Sequence, residues 1–330
     1  MTMIDDICGL PGQLRWGTEL EFEPLRSDGP IVLLGMGGSA MAATVASLAA
    51  TSRAPMMVHR GYGLPPWAAD SGASVVAVSY SGNTEEVLSG VDTAISEGLR
   101  IATVTSGGRL AEIAVDRSFP MVEIPGGMQP RAGVGYQAAA VAAVLGSAGH
   151  LPDLERDLNE AADTVAELVG AGDGAALVLG RDIAGALEGR TAVVYGGLGV
   201  GATAAYRWKT QINENAKAPA FSGTIPEMNH NELEGWRPET SGGFGIVYLH
   251  DTGDHPAVTR RINLSGTVLS GKVLRIGDVR SSGTGAMARF FSLAVVGDAA
   301  SVALAEASDV DPGPVDNLEE FKIMLAKGKP

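Results

Sequence analysis

Short apolar runs rich in valine and isoleucine alternate along this chain with helical stretches, and that alternation leaves few possible folds. IVLLG (31–35), ASVVAVSYS (73–81) and RIATVTSGG (100–108) stay largely apolar instead of switching between apolar and polar residues. A strand that is dry on both faces belongs in a parallel sheet covered by helices on each side. APMMVHR (54–60) and FPMVEIPGG (119–127) read as two further strands. Between the strands lie SAMAATVASLAA (39–50), rich in alanine, and TEEVLSGVDTAISEG (84–98), with apolar residues at helical spacing and a closing glycine. The fold class predicted is α/β, doubly wound.

The pattern then starts again. After helical and loop material at 151–188, softened by glycines at 170–174, TAVVYGGLGVGATAAYRW (191–208) echoes IVLLGMGGSAMAATVAS. Each has an apolar strand, a glycine-rich turn and a helix of small residues. FGIVYLHD (244–251) and KVLRIGD (272–278) supply more strands, and 285–306 another helix. Two sheet domains in tandem, 1–150 and 151–330, fit a length of 330 residues.

Composition removes several functions. The net charge is -14 and the pI about 4.8, against the basic stripes that nucleic-acid binding needs. Charge of one sign overall does not exclude an anionic small ligand held by a few local donors. The single cysteine, Cys8, cannot form an internal disulfide and fits a reducing cytoplasm. MTMIDDICGL has neither the basic start nor the long apolar run of a signal peptide. No run approaching about 20 apolar residues, the length that spans a bilayer, is expected.

Two strand-to-helix junctions carry chemistry. In GMGGSA (35–40), Gly35, Gly37 and Ala40 match the dinucleotide fingerprint G-x-G-x-x-A. That reading needs an acid about 20 residues on, where the chain has VHRGYG, so NAD is disfavoured and NADP rests on Arg60 alone. The other reading makes Gly38 and Ser39 a phosphate cradle at a helix N-terminus, where free N–H groups and the helix dipole attract anions. SYSGNT (79–84) repeats the device with Ser79, Ser81 and Thr84. In a parallel sheet both turns reach the carboxyl edge of the strands, where ligands bind, and two hydroxyl turns suit a phosphate monoester. Simple helix capping is the plain alternative. In the second half, YLHDTGD (248–254) replaces the serines with His250 and Asp251, so an anion site is expected in the first half only.

The segment 207–236 is the least ordinary. Ala205, Trp208, Ile212 and Ala216 form an apolar helical stripe. Arg207, Thr210, Gln211, Glu214 and Lys217 lie opposite, and their plain reading is a solvated face with a Glu214–Lys217 pair. His230 with Glu232 hints at a metal, but no second histidine stands at ligand spacing.

GMGGSA, SYSGNTEEV, QPRAG (129–133), NENAKAPAF (213–221) and PEMNHNELEGW (226–236) together resemble the bifunctional phosphoglucose/phosphomannose isomerases. The resemblance spans nearly the whole chain and implies two flavodoxin-like sugar-isomerase (SIS) domains in tandem. It implies an aldose–ketose isomerase that interconverts glucose 6-phosphate and mannose 6-phosphate with fructose 6-phosphate, without metal or redox cofactor. It further implies phosphate binding by Gly38, Ser39, Ser79, Ser81 and Thr84, and Glu214 as the base that moves a proton between C1 and C2. Arg131 would stabilise the enediolate, His230 from the partner subunit of a homodimer would open the sugar ring, and Lys322 would reach the ring oxygen. DPGPVDN (311–317) departs from the family pattern, with Gly313 where a threonine is expected. A sensor that binds sugar phosphate without turnover is the alternative. Such sensors usually carry a helix-turn-helix domain, for which about 30 residues ahead of the first strand leave too little chain.

Overall fold

The computed structural model describes residues 2–27 and 29–327. The first half runs α1 (Met3–Trp16), β1 (Ile31–Leu34), α2 (Gly37–Ala49), β2 (Met56–His59), α3 (Trp67–Asp70), β3 (Ser74–Ser79) and α4 (Glu85–Ser96). It continues with β4 (Arg100–Thr105), α5 (Gly108–Arg117), β5 (Met121–Glu123) and α6 (Val134–Ser147). After α7 (Leu154–Val169) and α8 (Ala175–Leu187) come β6 (Thr191–Gly197), α9 (Val200–Asn215), β7 (Ala220–Ile225) and β8 (Phe244–His250). The chain closes with α10 (Pro256–Val268), β9 (Leu274–Arg280), α11 (Ala286–Ala307) and α12 (Asp316–Lys327).

Both sheets are wholly parallel. The first has the order β2-β1-β3-β4-β5, the second β7-β6-β8-β9. The first is the flavodoxin order, and the second repeats it up to the fourth strand. The apolar runs behave as expected: every residue of β1 and of β3 is buried. On the outer face of the first sheet, α4 and α5 bury Val87, Val91 and Leu110 against Val32, Val75 and Ala77. On the inner face one continuous core joins α2 and α6 to α9 and α11 of the second half. Trp208, fully buried, donates its indole N–H to the Leu293 carbonyl at 2.8 Å.

Several elements depart from the sequence reading. α1, which had no predicted counterpart, starts from a capping box at Thr2 and Asp5 and buries Ile7, Leu10 and Leu14. β7 had no predicted counterpart either, yet AFSGTI pairs in register with β6. α11 has the length and apolar composition of a bilayer span, contrary to expectation, but most of it is buried inside the protein. Its apolar surface meets α7, α8 and α9.

Candidate active site

At the carboxyl edge of the first sheet, three strand-to-helix turns lock together. Ser39 is buried; its hydroxyl donates to Gln137 Oε1 at 2.7 Å and accepts from the Tyr80 N–H at 3.3 Å. The first turn is thereby fastened to the second. The Ser79 and Thr84 hydroxyls lie 2.8 Å apart, and Thr84 gives no side-chain hydrogen bond to its own helix. Capping therefore does not account for Thr84. Ser81 is exposed and accepts from the Asn83 N–H at 3.3 Å. Gly82 has φ +68, and a Cβ there would stand 1.8 Å from the Gly107 carbonyl oxygen, so no other residue fits this turn. Ser106 completes the third turn by donating to the Tyr80 carbonyl at 2.6 Å.

The QPRAG segment comes up against these turns. Gln137 Nε2 donates to the Pro130 carbonyl at 2.8 Å. A Cβ on Gly38 would lie 3.3 Å from that same oxygen and 3.7 Å from Arg131 Cα. The room made by the missing side chain thus admits the backbone that carries Arg131.

Arg131 is 4% exposed and fully engaged. Its Nε donates to Asn215 Oδ1 at 2.7 Å, and its Nη2 to the carbonyls of Pro312 and Gly313 at 2.7 and 2.9 Å. Its Nη1 reaches Gln129 Oε1 at 3.4 Å and Glu214 Oε2 at 3.5 Å. Glu214 sits in the last turn of α9 and is partly exposed, so one carboxylate faces both the guanidinium and solvent. Burial pulls the Arg131 pKa down and Glu214 opposes this; a guanidinium nonetheless remains charged.

Behind this pair is a buried network that the sequence reading missed. Asn215 donates to Ser301 Oγ at 2.8 Å and Gln211 Oε1 at 3.1 Å. Arg207 and Asp298 form a two-pronged ion pair, with Nε–Oδ1 at 3.0 Å and Nη2–Oδ2 at 2.7 Å. Arg207 Nη2 also donates to the Arg131 carbonyl at 3.2 Å. The face read as solvated is dry at Arg207 and Gln211, which are buried, while Thr210 and Glu214 are partly exposed and Lys217 is exposed. Nor is there a Glu214–Lys217 side-chain pair. Lys217 Nζ donates instead to the carbonyls of Glu214 and Pro314, each at 2.5 Å, and burial pulls its pKa down. Arg131 and Lys217 together tie the segment 312–314 over the carboxylate.

Gly313 brings a carbonyl, not a hydroxyl, to Arg131. His230, in the short turn of helix Glu227–His230, is exposed. Lys322 is exposed on α12. Among the described residues, neither makes a hydrogen bond or ion pair. Arg60, on which the NADP reading rested, donates to Thr44 Oγ1 at 3.1 Å and lies over the Tyr206 ring. No group of three or more His, Cys, Asp or Glu suited to a metal ion occurs among the described residues.

The matching edge of the second sheet is occupied by acids. A Cβ on Gly197 would lie 2.3 Å from Asp254 Oδ1, so that carboxylate fills the space above the glycine turn. Asp251 pairs with Arg289 at 2.8 Å. Carboxylates there repel an anion, while the first half presents hydroxyls.

The family model for the bacterial phospho-glucose isomerase C-terminal SIS domain matches residues 179–325. A bifunctional phosphoglucose/phosphomannose isomerase of Caldicellulosiruptor bescii is 34% identical over 99% of this chain and 100% of its own. One of Aquifex aeolicus is 35% identical over 90% of each. Among solved structures, a hypothetical protein of Thermus thermophilus superposes with a TM-score of 0.75 at 15% identity, covering 98% of this chain and 90% of that one. By sequence along its whole length, the chain belongs to the bifunctional phosphoglucose/phosphomannose isomerase family.

Proposed function

We propose that this protein interconverts glucose 6-phosphate and mannose 6-phosphate with fructose 6-phosphate through a cis-enediolate. The observation that carries the reading is the approach of Glu214 to Arg131, 3.5 Å apart beside the hydroxyl turns. Aldose–ketose isomerisation removes the proton α to a carbonyl and returns it one carbon away. One carboxylate over C1 and C2 does both. The oxygen that gains charge meets a fixed guanidinium, held by five groups so that it need not reorganise.

In this reading, Ser39, Ser79, Ser81 and Thr84 line the phosphate end, and Gly38 sets how closely that turn approaches Arg131. Binding energy from the phosphate then positions carbons that the phosphate does not touch. His230 opens the ring from across a homodimer, and Lys322 reaches the ring oxygen. Residues 1–150 hold the phosphate and residues 151–330 supply the proton-moving side chains. The single cysteine suits work in the cytoplasm. A sensor without turnover is not favoured, because a carboxylate poised beside a guanidinium serves proton transfer, not binding alone.

Coupled assays with each sugar phosphate, with and without a chelator, test the proposal. Turnover of both substrates that survives chelation is expected. Tight binding with no turnover would turn the reading to a sensor, and loss of all activity on chelation would overturn the metal-free mechanism.

A further inference from the structure

The two halves differ on their outer faces. In the first, β4 is covered by α5, which buries Leu110. In the second, α10 lies on the outer face, and the chain leaves β9 directly for α11 on the inner one. Nothing corresponding to α5 follows. Beside the C-terminal end of α10 a cleft of about 590 Å³ stays open over β8 and the start of β9.

Its floor includes Ile246 and Leu269; Arg190, Lys272 and Arg275 line it, and no carboxylate does. In a chain of net charge -14, Arg190 and Lys272 give this cleft a local positive charge, while Arg275 is paired with Asp278 just outside the lining. Arg275 gives its Nε and Nη2 to Asp278, which leaves Nη1 without a hydrogen-bond partner among the described residues. Gly266 makes room for it: a Cβ there would stand 2.4 Å from Nη1. The same guanidinium lies over the Tyr248 ring, 5.3 Å from its centre. Tyr248 also lines the cleft, is 1% exposed, and its hydroxyl has no hydrogen-bond partner. Burial pushes this phenol up to about 12, so it stays a donor at neutral pH. A buried hydroxyl is rarely left unpaired.

We propose that this cleft is a second ligand site, apart from the Arg131–Glu214 site, for a small phosphate ester with a flat apolar body. The body lies against Val273, Leu274 and the exposed guanidinium of Arg275. The phosphate meets Arg190, Lys272 and the free edge of Arg275, and the Tyr248 hydroxyl gains a partner.

Calorimetric titration of the whole protein with AMP, and separately with inorganic phosphate, tests this. AMP is expected to bind more tightly than phosphate. Lys272→Glu, an exposed change, should weaken AMP roughly tenfold or more, as loss of a charge-assisted contact does. Tyr248→Phe should weaken it about threefold, while Ser81→Ala leaves it unchanged. Failure of AMP to bind at millimolar concentration, or unchanged affinity in Lys272→Glu, would overturn the site. Loss of AMP binding in Ser81→Ala would also overturn it, by assigning the nucleotide to the hydroxyl turns. Phosphate bound as tightly as AMP would remove the apolar body from the proposal.

Discussion

Removing the Asp298 carboxylate is the sharpest test of how the two halves are joined at Arg131. Asp298 and Arg207 are 5% and 4% exposed. They bridge α9 and α11, and Arg207 goes on to the Arg131 carbonyl at 3.2 Å. Burial pushes the Asp298 pKa up, and the Arg207 guanidinium opposes it. In Asp298→Ala, the guanidinium keeps only that carbonyl as partner in a dry site. Stranding one member of a buried pair costs about 3–5 kcal/mol, a large share of a total stability of roughly 5–15 kcal/mol. Removing both charges at once is different. Arg207→Met with Asp298→Leu leaves no unpaired ion, and its stability should fall within about 2 kcal/mol of wild type. Urea unfolding followed by far-ultraviolet circular dichroism measures all four corners of the cycle. A loss below about 1 kcal/mol for Asp298→Ala would refute the reasoning. So would a double variant as unstable as the sum of the two single ones.

Gly297 lies on α11 where a Cβ would stand 2.4 Å from the Trp208 indole; Gly297→Ala should cost about 1–3 kcal/mol by overpacking, read by the same unfolding assay. Asp254 is pushed up to about 6 by burial and by Asp251. An acid whose folded value is raised loses stability as pH climbs from its unfolded value, near 3.8, to its folded one. Asp254→Asn should therefore be more stable than wild type above pH 6 and equal to it near pH 4. The full shift corresponds to about 3 kcal/mol, which partial exposure reduces to about 1 kcal/mol. Thermal unfolding at the two pH values checks it, and a gain that persists at pH 4 would contradict the sign.

The central strands of the first sheet were legible because a parallel strand buried on both faces keeps few polar positions in its sequence. β7 was not, because its residues Ser222, Gly223 and Thr224 are only partly buried on an edge strand. α1 hid behind Pro11 and two glycines that ordinarily argue against a helix; Pro11 is buried in the core, and Gly9 and Gly12 lie on the exposed face. Arg131 and Glu214 were identified through resemblance, and the structure adds their contact. The network behind them was out of reach because a polar helical face looks the same whether it meets water or another helix. Arg207 illustrates this, since its partner is 91 residues away. A signal for that partner did exist: Asp298 is the one carboxylate inside a long apolar stretch of α11, and such a charge needs a counter-ion. Ser106 had one too, since TSGG occupies the same strand-to-helix position as SYSGNT.

Proton transfer through Glu214 is the claim on which the mechanism depends. Glu214→Gln keeps the size of the side chain and removes its basicity, so steady-state kinetics on mannose 6-phosphate measure the base directly. The account predicts kcat lower by about 10²–10⁴ with KM within a few-fold of wild type. Turnover close to that of the wild type would contradict it.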